Sequence, residues 1–486
     1  MGLLDSGAWQ GRMYSDGWVR GSGGDRAVTE PATGEEIGRI GWATPDDVRK
    51  AAERAREAQR AWAQAPYTER AAVLRRAGDL WQENAGEIKT WLSRETGAIG
   101  PFGDFQVGVS SQECYEASAL ASHPFGEVLR SQQPKLSFSR RVPAGVVGVI
   151  APFNAPTILS IRAVAPALAL GNAVVLKPDP RSSVSGGAVL AEIFAAAGLP
   201  DGVLHVLPGG VDAGEALVTD PNVRVIAFTG STRAGRAVAR LAGEHLKRVH
   251  LELGGNSALI VLPDVDVERA TSVGAFGSFF HQGQICMASS RQLVHSSIAK
   301  EYASALAARA GHLPVGDPYR DQVALGPLID ERQRDNVHRV VTSSVDAGAV
   351  LLTGGSYEGL FYRPTVLADV PTSAPAYVEE IFGPVAPIVA FDSIDEAVAL
   401  AAGTEYGLSL GILTRDVYKA LEIAERVPTG AVHINDQTVD DEATIPFGGV
   451  GASGNGGRIG GPQANIEAFT ETQWVTVRGD LPQYPF

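Results

Sequence analysis

The chain has 486 residues, 44% of them hydrophobic and 20% charged, an ordinary globular composition with ample apolar material for large cores. At this length more than one domain is expected. The formal net charge of -14 repels nucleic-acid phosphates and anionic lipid surfaces, so neither is an expected partner and a small molecule is.

The opening stretch, MGLLDSGAWQGRMYSDG, has neither the basic start nor the continuous apolar run of a leader peptide, and no segment approaches the roughly 20 apolar residues of a membrane span. Up to Ile40 the chain is Gly-rich and turn-rich, with short alternating runs. Residues 45–94, rich in Ala, Glu, Arg and Leu at helical spacing, predict two or three surface helices. Cys114, in SSQECYEAS on a predicted helix, reads as an inert structural thiol. From Val142 onward the β-branched runs VVGVI (146–150), AVVLK (173–177) and VRVIAF (223–228) alternate with Ala/Leu-rich helical segments, which predicts a doubly wound parallel sheet. A second alternating region starts near Asn256 with SALIVL, continues through helical patterns at 267–280 and 299–310, and ends in turn-rich sequence around 448–461. It predicts a second α/β domain. Residues 131–141 and 474–478 alternate like strands outside both sheets and are candidates for a subunit contact. No internal repeat or low-complexity linker is present, so closely packed domains are expected.

Cys286, in HQGQICMAS, follows a Gly-containing break after an apolar helical stretch, a place for a thiol at a mouth between domains. Taken singly it reads equally as a buried inert cysteine. Glu252 ends an apolar run in HLELGGN, before two glycines that let a ligand approach the backbone; a salt-bridged strand-end carboxylate is the other reading. Asn154, in VIAPFNAP, either donates its amide to a developing oxyanion or caps the helix that follows. FTGSTRAG, residues 228–235, comes directly after a strand and opens a helix near Arg233. The helix start offers unpaired N–H groups and the positive dipole end, and Gly230 lets the backbone approach a pyrophosphate. This is not the ordinary Gly-x-Gly-x-x-Gly run, so a plain strand-to-helix turn stays open. The two cysteines lie far apart with no metal-ligand spacing, and His281 and His433 have no paired partner. No disulfide or metal is therefore expected, and a reducing, cytoplasmic setting fits.

Taken together, the order and spacing of Asn154, Lys177, the Gly230 turn, Glu252 and Cys286, with EEIFGPV from Glu379 and PFGGVGASG from Pro446, resemble the aldehyde dehydrogenase superfamily over essentially the whole chain. The resemblance implies an α/β fold with a Rossmann-type cofactor domain (1–124 and 144–253) and a second α/β catalytic domain (254–452). It also implies a small β oligomerisation element (125–143 and 466–486) in a homodimer or homotetramer. By the same resemblance Cys286 attacks the aldehyde and carries a thioester, and Asn154 with the Cys286 backbone N–H holds the oxyanion. Glu252 then activates the hydrolytic water, a residue that CoA-acylating relatives usually lack.

For NAD, the resemblance assigns Lys177 to the adenosine ribose, Gly230 and Ser231 to the pyrophosphate, and Glu380 with Phe382 to the nicotinamide end. Ile150, Pro152, Asn154, Asp179, Pro180, Gly210, Phe228, Leu253 and Gly254 complete the crevice. KPDP departs from the pattern by placing Pro180 where NAD-specific members carry a glutamate. That removes both an acceptor and a repulsion against a 2′-phosphate, so use of NADP alongside NAD is expected. KPDPRSS, Arg162 and the tail WVTVRGDLPQYPF look like the aromatic-aldehyde members, those acting on benzaldehyde, salicylaldehyde and vanillin. Phe153, Ile285, Asn435 and Phe447 are expected around the substrate, with Arg162 meeting a polar substituent or the product carboxylate; core packing or an ion pair is the alternative for each. An aliphatic aldehyde or semialdehyde dehydrogenase, and a noncatalytic binding protein of the same fold, are the competing functional readings.

Overall fold

The run VVGVI forms the strand Val146–Ile150, buried along almost its whole length, because β-branched side chains pack well on both faces of a covered parallel sheet. The computed structural model describes residues 2–4 and 7–486. Val146–Ile150 is the third strand of a seven-stranded sheet ordered Arg248–Glu252, Val223–Thr229, Val146–Ile150, Ala173–Lys177, Leu204–Val206, Met13–Tyr14 and Trp18–Val19. The first five run parallel, and the short N-terminal hairpin adds antiparallel at the edge. Strand order reverses between Val146–Ile150 and Val223–Thr229. At such a switch point the helices leave on opposite faces and a crevice opens beyond the carboxyl ends of the strands.

The expected surface helices are Pro45–Gln64, Tyr67–Glu83 and Ala85–Thr96. The first starts at a capping box, in which Thr44 and Asp47 satisfy each other's backbone N–H. Cys114 lies fully buried in the helix Gly100–Leu120.

A second seven-stranded sheet runs Val350–Thr353, Thr365–Ala368, Val385–Phe391, Arg291–His295, Ala258–Val261, Ser409–Leu413 and Ala431–Ile434. All its pairings are parallel except that of Val350–Thr353 at one edge. The helices Val267–Phe279 and Ser296–Gly311 lie where the apolar periodicity puts them. A third sheet stands outside both, with Thr470–Val477 paired antiparallel to Leu136–Pro143, and that strand to Gly126–Val128. The strand expected at 131–141 thus begins five residues later. Ser131 instead accepts a hydrogen bond from the Gln133 N–H at 3.1 Å, a local turn that competes with the ladder. The turn-rich segment 448–461 returns to the first sheet, where Gly454 bridges Glu252 antiparallel, while Phe447 bridges Ile459. Among the described residues no helix is long and apolar enough to cross a membrane.

The chain leaves the carboxyl end of Arg248–Glu252, an edge strand of the first sheet, and enters the amino end of Ala258–Val261, an interior strand of the second, through the short link 253–257. The buried guanidinium of Arg291 fixes this link by donating to the carbonyls of Asn256 (2.8 Å), Leu400 (2.9 Å) and Ala401 (3.0 Å). Arg291→Leu leaves those three oxygens without their donor and is expected to destabilise the fold by about 2–4 kcal/mol, read as a lower urea midpoint at unchanged slope. An unchanged midpoint would show that the link is held by something else.

Candidate active site

After the helix Val267–Phe279 the backbone reverses through His281, Gln282 and Gly283, at φ 49°, 55° and 65°. Two non-glycine residues in this left-handed region need support from their surroundings. Gln282 Nε2 donates to the carbonyls of Gly97 and Pro327, both at 3.0 Å, and Gln284 Oε1 accepts from the Ile329 N–H at 3.1 Å. The reversal delivers Cys286 to the link between the sheets. A β-carbon on Gly255 would run into the Cys286 carbonyl, so the second glycine of HLELGGN lets the two backbones close together. Cys286 is half-buried. Burial pushes its pKa up, and Glu380, Glu252 and Asp441 add to the effect. The sulfur therefore rests protonated and needs a base before it can act as a nucleophile. Burial raises Cys114 too, and no solvent reaches it.

Glu252, the last residue of its strand, is buried, and neither carboxylate oxygen has a hydrogen-bond partner among the described residues. The salt-bridge reading is thus not realised. Glu252 lines a small cavity with Ile150, Phe228, Arg162 and Phe447. Burial lifts its pKa well above the ordinary carboxylate range, while Arg458 and Arg162 pull it down and Asp441 pushes it up. An unpaired, shifted carboxyl beside a cavity is a candidate for proton transfer. Arg162 is at once an ion pair and part of the cavity wall: Nε donates to Glu113 at 2.8 Å, Nη2 lies 2.7 Å from Asp441, and the guanidinium sits 5.3 Å over the Phe447 ring. Its buried Nη1 has no partner among the described residues.

The helix after Asn154 begins at Pro156 with Ala155 at its cap and no side-chain capping bond, so the capping reading of Asn154 does not hold. Asn154 is buried at the head of that helix. The Phe153 ring stands edge-on to Phe382 at 5.9 Å, with the Arg181 guanidinium 4.2 Å over its face. Ile285 is buried next to the thiol. Asn435 is exposed in a turn at φ 61°, with Oδ1 accepting from the Thr414 N–H at 3.0 Å, and no described contact joins it to Cys286.

The remaining predicted positions gather along the crevice at the switch point. Ile150 and Pro152 end the first strand there. Lys177 ends its own strand and, though it is buried, its ammonium makes one hydrogen bond among the described residues, at 3.4 Å to the Pro178 carbonyl. Pro180 opens a one-turn helix capped by Asp179, whose carboxylate is held by Arg181 at 2.9 Å; Arg181 in turn reaches Asp330 at 2.7 Å. Gly210 caps the helix Val211–Thr219, and Ser231 caps Thr232–Glu244 through its side chain. The Gly230 N–H donates to the Glu252 carbonyl at 3.0 Å, and a β-carbon on Gly230 would lie 2.7 Å from the Phe228 ring. The Leu253 N–H donates to Ser453 at 3.0 Å, and a β-carbon on Gly254 would collide with Glu380. Glu380 accepts from the Gly255 N–H at 3.1 Å, and burial raises its pKa to about 7. Phe382 sits at φ 53°. An under-engaged buried ammonium, two helix N-termini and a half-buried carboxylate with one donor fit a dinucleotide. Sequence reasoning missed Glu113, Asp441 and Arg458 around Glu252. It also missed Gln282 and Gln284, whose one visible signal is their spacing about a glycine beside the thiol.

A nucleophilic thiol beside a dinucleotide crevice defines an oxidoreductase that works through a covalent intermediate. A sequence model of the aldehyde dehydrogenase family matches residues 18–475, and the chain belongs to that family. It is 65% identical, over the full length of both chains, to a vanillin dehydrogenase of Amycolatopsis sp.. It is 50% identical to a benzaldehyde dehydrogenase (NAD(+)) of Pseudomonas putida over 98% of each chain. The structure of a salicylaldehyde dehydrogenase from Pseudomonas putida G7, complexed with salicylaldehyde, superposes with a TM-score of 0.94 at 34% identity, covering 98% of this chain and 99% of that one.

The raised thiol predicts that alkylation of Cys286 by iodoacetamide, in the absence of cofactor, still accelerates above the roughly 8.5 at which a free cysteine titrates, while Cys114 stays unmodified in the native protein. Mass spectrometry of the two peptides across a pH series checks both; a rate plateau at or below pH 8 would contradict the first.

Proposed function

We propose that this protein oxidises an aromatic aldehyde to its carboxylic acid with NAD, through a thioester on Cys286 that Glu252 hydrolyses. The observation that carries the reading is Glu252 itself, buried with both oxygens unpaired, on the link whose Gly255 packs against the thiol's own peptide. In the first step the Cys286 thiol gives up its proton through water to solvent and its sulfur adds to the aldehyde carbon. The Asn154 amide and the Cys286 N–H stabilise the oxygen that becomes negative, each such donor contributing roughly 3 kcal/mol in comparable sites. A bound nicotinamide cofactor supplies the hydride acceptor. Glu252 then takes a proton from water, whose oxygen attacks the thioester carbon, and the acid leaves as Cys286 regains its proton.

The apolar faces of Phe153, Ile285 and Phe447 support a flat ring as substrate, and the unpartnered Nη1 of Arg162 supports a polar substituent on it. At the ribose end, Pro180 offers no acceptor and the Asp179 charge is offset by Arg181, which supports NADP as a second cofactor. The third sheet, with Val128 and Trp474 exposed, supports a homo-oligomer joined through residues 125–143 and 466–486. The cofactor domain then comprises 1–124 with 144–253 and the catalytic domain 254–452, in a cytoplasmic enzyme.

Glu252→Gln is expected to retain one turnover of cofactor reduction, to accumulate the thioester, and to lose steady-state turnover by at least about 100-fold. Steady-state turnover equal to wild type would remove Glu252 from this role. In a panel of aldehydes, kcat/KM is expected to favour benzaldehyde-like substrates; equal or better efficiency with a saturated aliphatic aldehyde overturns the aromatic assignment. With NADP in place of NAD, kcat/KM is expected to fall by less than about 1000-fold, or ~4 kcal/mol, and a larger drop excludes the second cofactor.

A further inference from the structure

A buried carboxylate that accepts no hydrogen bond is costly to ionise, yet the proposed hydrolysis needs Glu252 charged. Four ionisable groups besides Cys286 surround it. Arg162 comes from the helix Pro156–Ala169, Asp441 from the segment after Ala431–Ile434, and Glu113 lies behind Arg162 on Gly100–Leu120. Arg458 comes from the returning arm of the loop that begins at Pro446. The guanidinium of Arg162 is already shared between two carboxylates. Arg458 pairs with no carboxylate among the described residues; its Nη1 is held by the carbonyls of Gly449 at 3.0 Å and Gly457 at 2.9 Å.

Gly448 sets how near Arg458 comes. A β-carbon at that glycine would lie 2.8 Å from Arg458 Nη1 and 2.8 Å from Glu252 Oε1, so both groups border the space that the missing side chain leaves open. The two atoms can therefore be no more than twice that distance apart. The loop is fixed at both arms, by the Phe447–Ile459 bridge and by the bridge from Gly454 to Glu252 itself.

We propose that Arg458 is a positioning residue for Glu252: across the bare face of Gly448, its uncompensated positive charge keeps the buried carboxylate in the ionised, proton-accepting form during thioester hydrolysis. The inference rests on Glu252 being the hydrolytic base. Arg458 touches neither sulfur nor aldehyde in this scheme, so the hydride-transfer phase is indifferent to it.

The test is single-turnover kinetics of the full-length enzyme with benzaldehyde and NAD, following cofactor reduction by absorbance and the acyl-enzyme by acid quench and mass spectrometry, across pH. Arg458→Gln keeps an amide donor for the Gly449 and Gly457 carbonyls and removes the charge. Losing a cation raises the pKa of Glu252, so the acid limb of the hydrolysis rate is expected to move up by about one pH unit and the rate at neutral pH to fall about tenfold. Cofactor reduction should stay within about twofold of wild type, and Arg458→Lys should restore most of the hydrolysis rate. Should Arg458→Gln fail to fold, Gly448→Ala places a methyl group between the partners and is expected to slow hydrolysis selectively. An unshifted hydrolysis limb in a folded variant, equal slowing of both phases, or Arg458→Lys as slow as Arg458→Gln each overturns the proposal. Normal hydrolysis in Arg458→Gln beside blocked hydrolysis in Glu252→Gln would sink this inference alone, whereas unimpaired Glu252→Gln would sink the base assignment beneath it.

Discussion

The chemistry depends on the approach of the backbone at Gly254 and Gly255 to Glu380 and to the Cys286 carbonyl. Without side chains there, the link that joins the two sheets passes close to the thiol's peptide and to the half-buried Glu380 carboxylate; a single added carbon at either position forces them apart. Glu252 ends the strand that leads into the same link, two residues before Gly254. Leu253 ties the link to Ser453, and Arg291 ties it to the second sheet. Secondary structure supplies rigid edges, but the glycine pair brings the two edges to working distance, which is the link from sequence to function on which the chemistry relies.

Charge around that contact is unevenly balanced. Glu252, Asp441 and Glu113 are buried and Glu380 is half-buried, and all four have raised pKa values, Glu113 and Glu380 to about 7. At an effective dielectric of about 20, unit charges 5 Å apart interact by about 3 kcal/mol, so these groups cannot ionise independently of the thiol. Burial that disfavours the thiolate also disfavours the carboxylate.

Much of this was legible from local pattern. The strands Val146–Ile150 and Ala173–Lys177 begin and end where their β-branched runs do, because burial on both faces leaves few other solutions for such runs. Cys286 and Glu252 were visible because glycines flank them, and a glycine beside a chemical group reports a close approach even before the partner is known. Asn154 was ambiguous from sequence: an amide two residues before a helix reads as a cap until the helix is seen to start at Pro156 without one. Asn435 lies in a turn stabilised by Thr414, a local role no periodicity announces. Arg162 carried no signal that Glu113 and Asp441 would share its guanidinium, since they lie 49 residues before it and in a separate loop far beyond it.

The segment 446–461 shows why the site needed the whole chain. Its glycines read as loose turns ending the second domain, yet they fold back onto the first sheet, where Gly454 pairs with Glu252 and Phe447 closes the cavity wall. A glycine-rich stretch has little side-chain burial to hold it in place. Here backbone bridges and the Arg458 contacts to Gly449 and Gly457 take over that task. The first sheet supplies the base, the second domain supplies the thiol, and this late returning loop covers both. A fragment ending before Pro446 would retain each reacting group and lose the surface that encloses them.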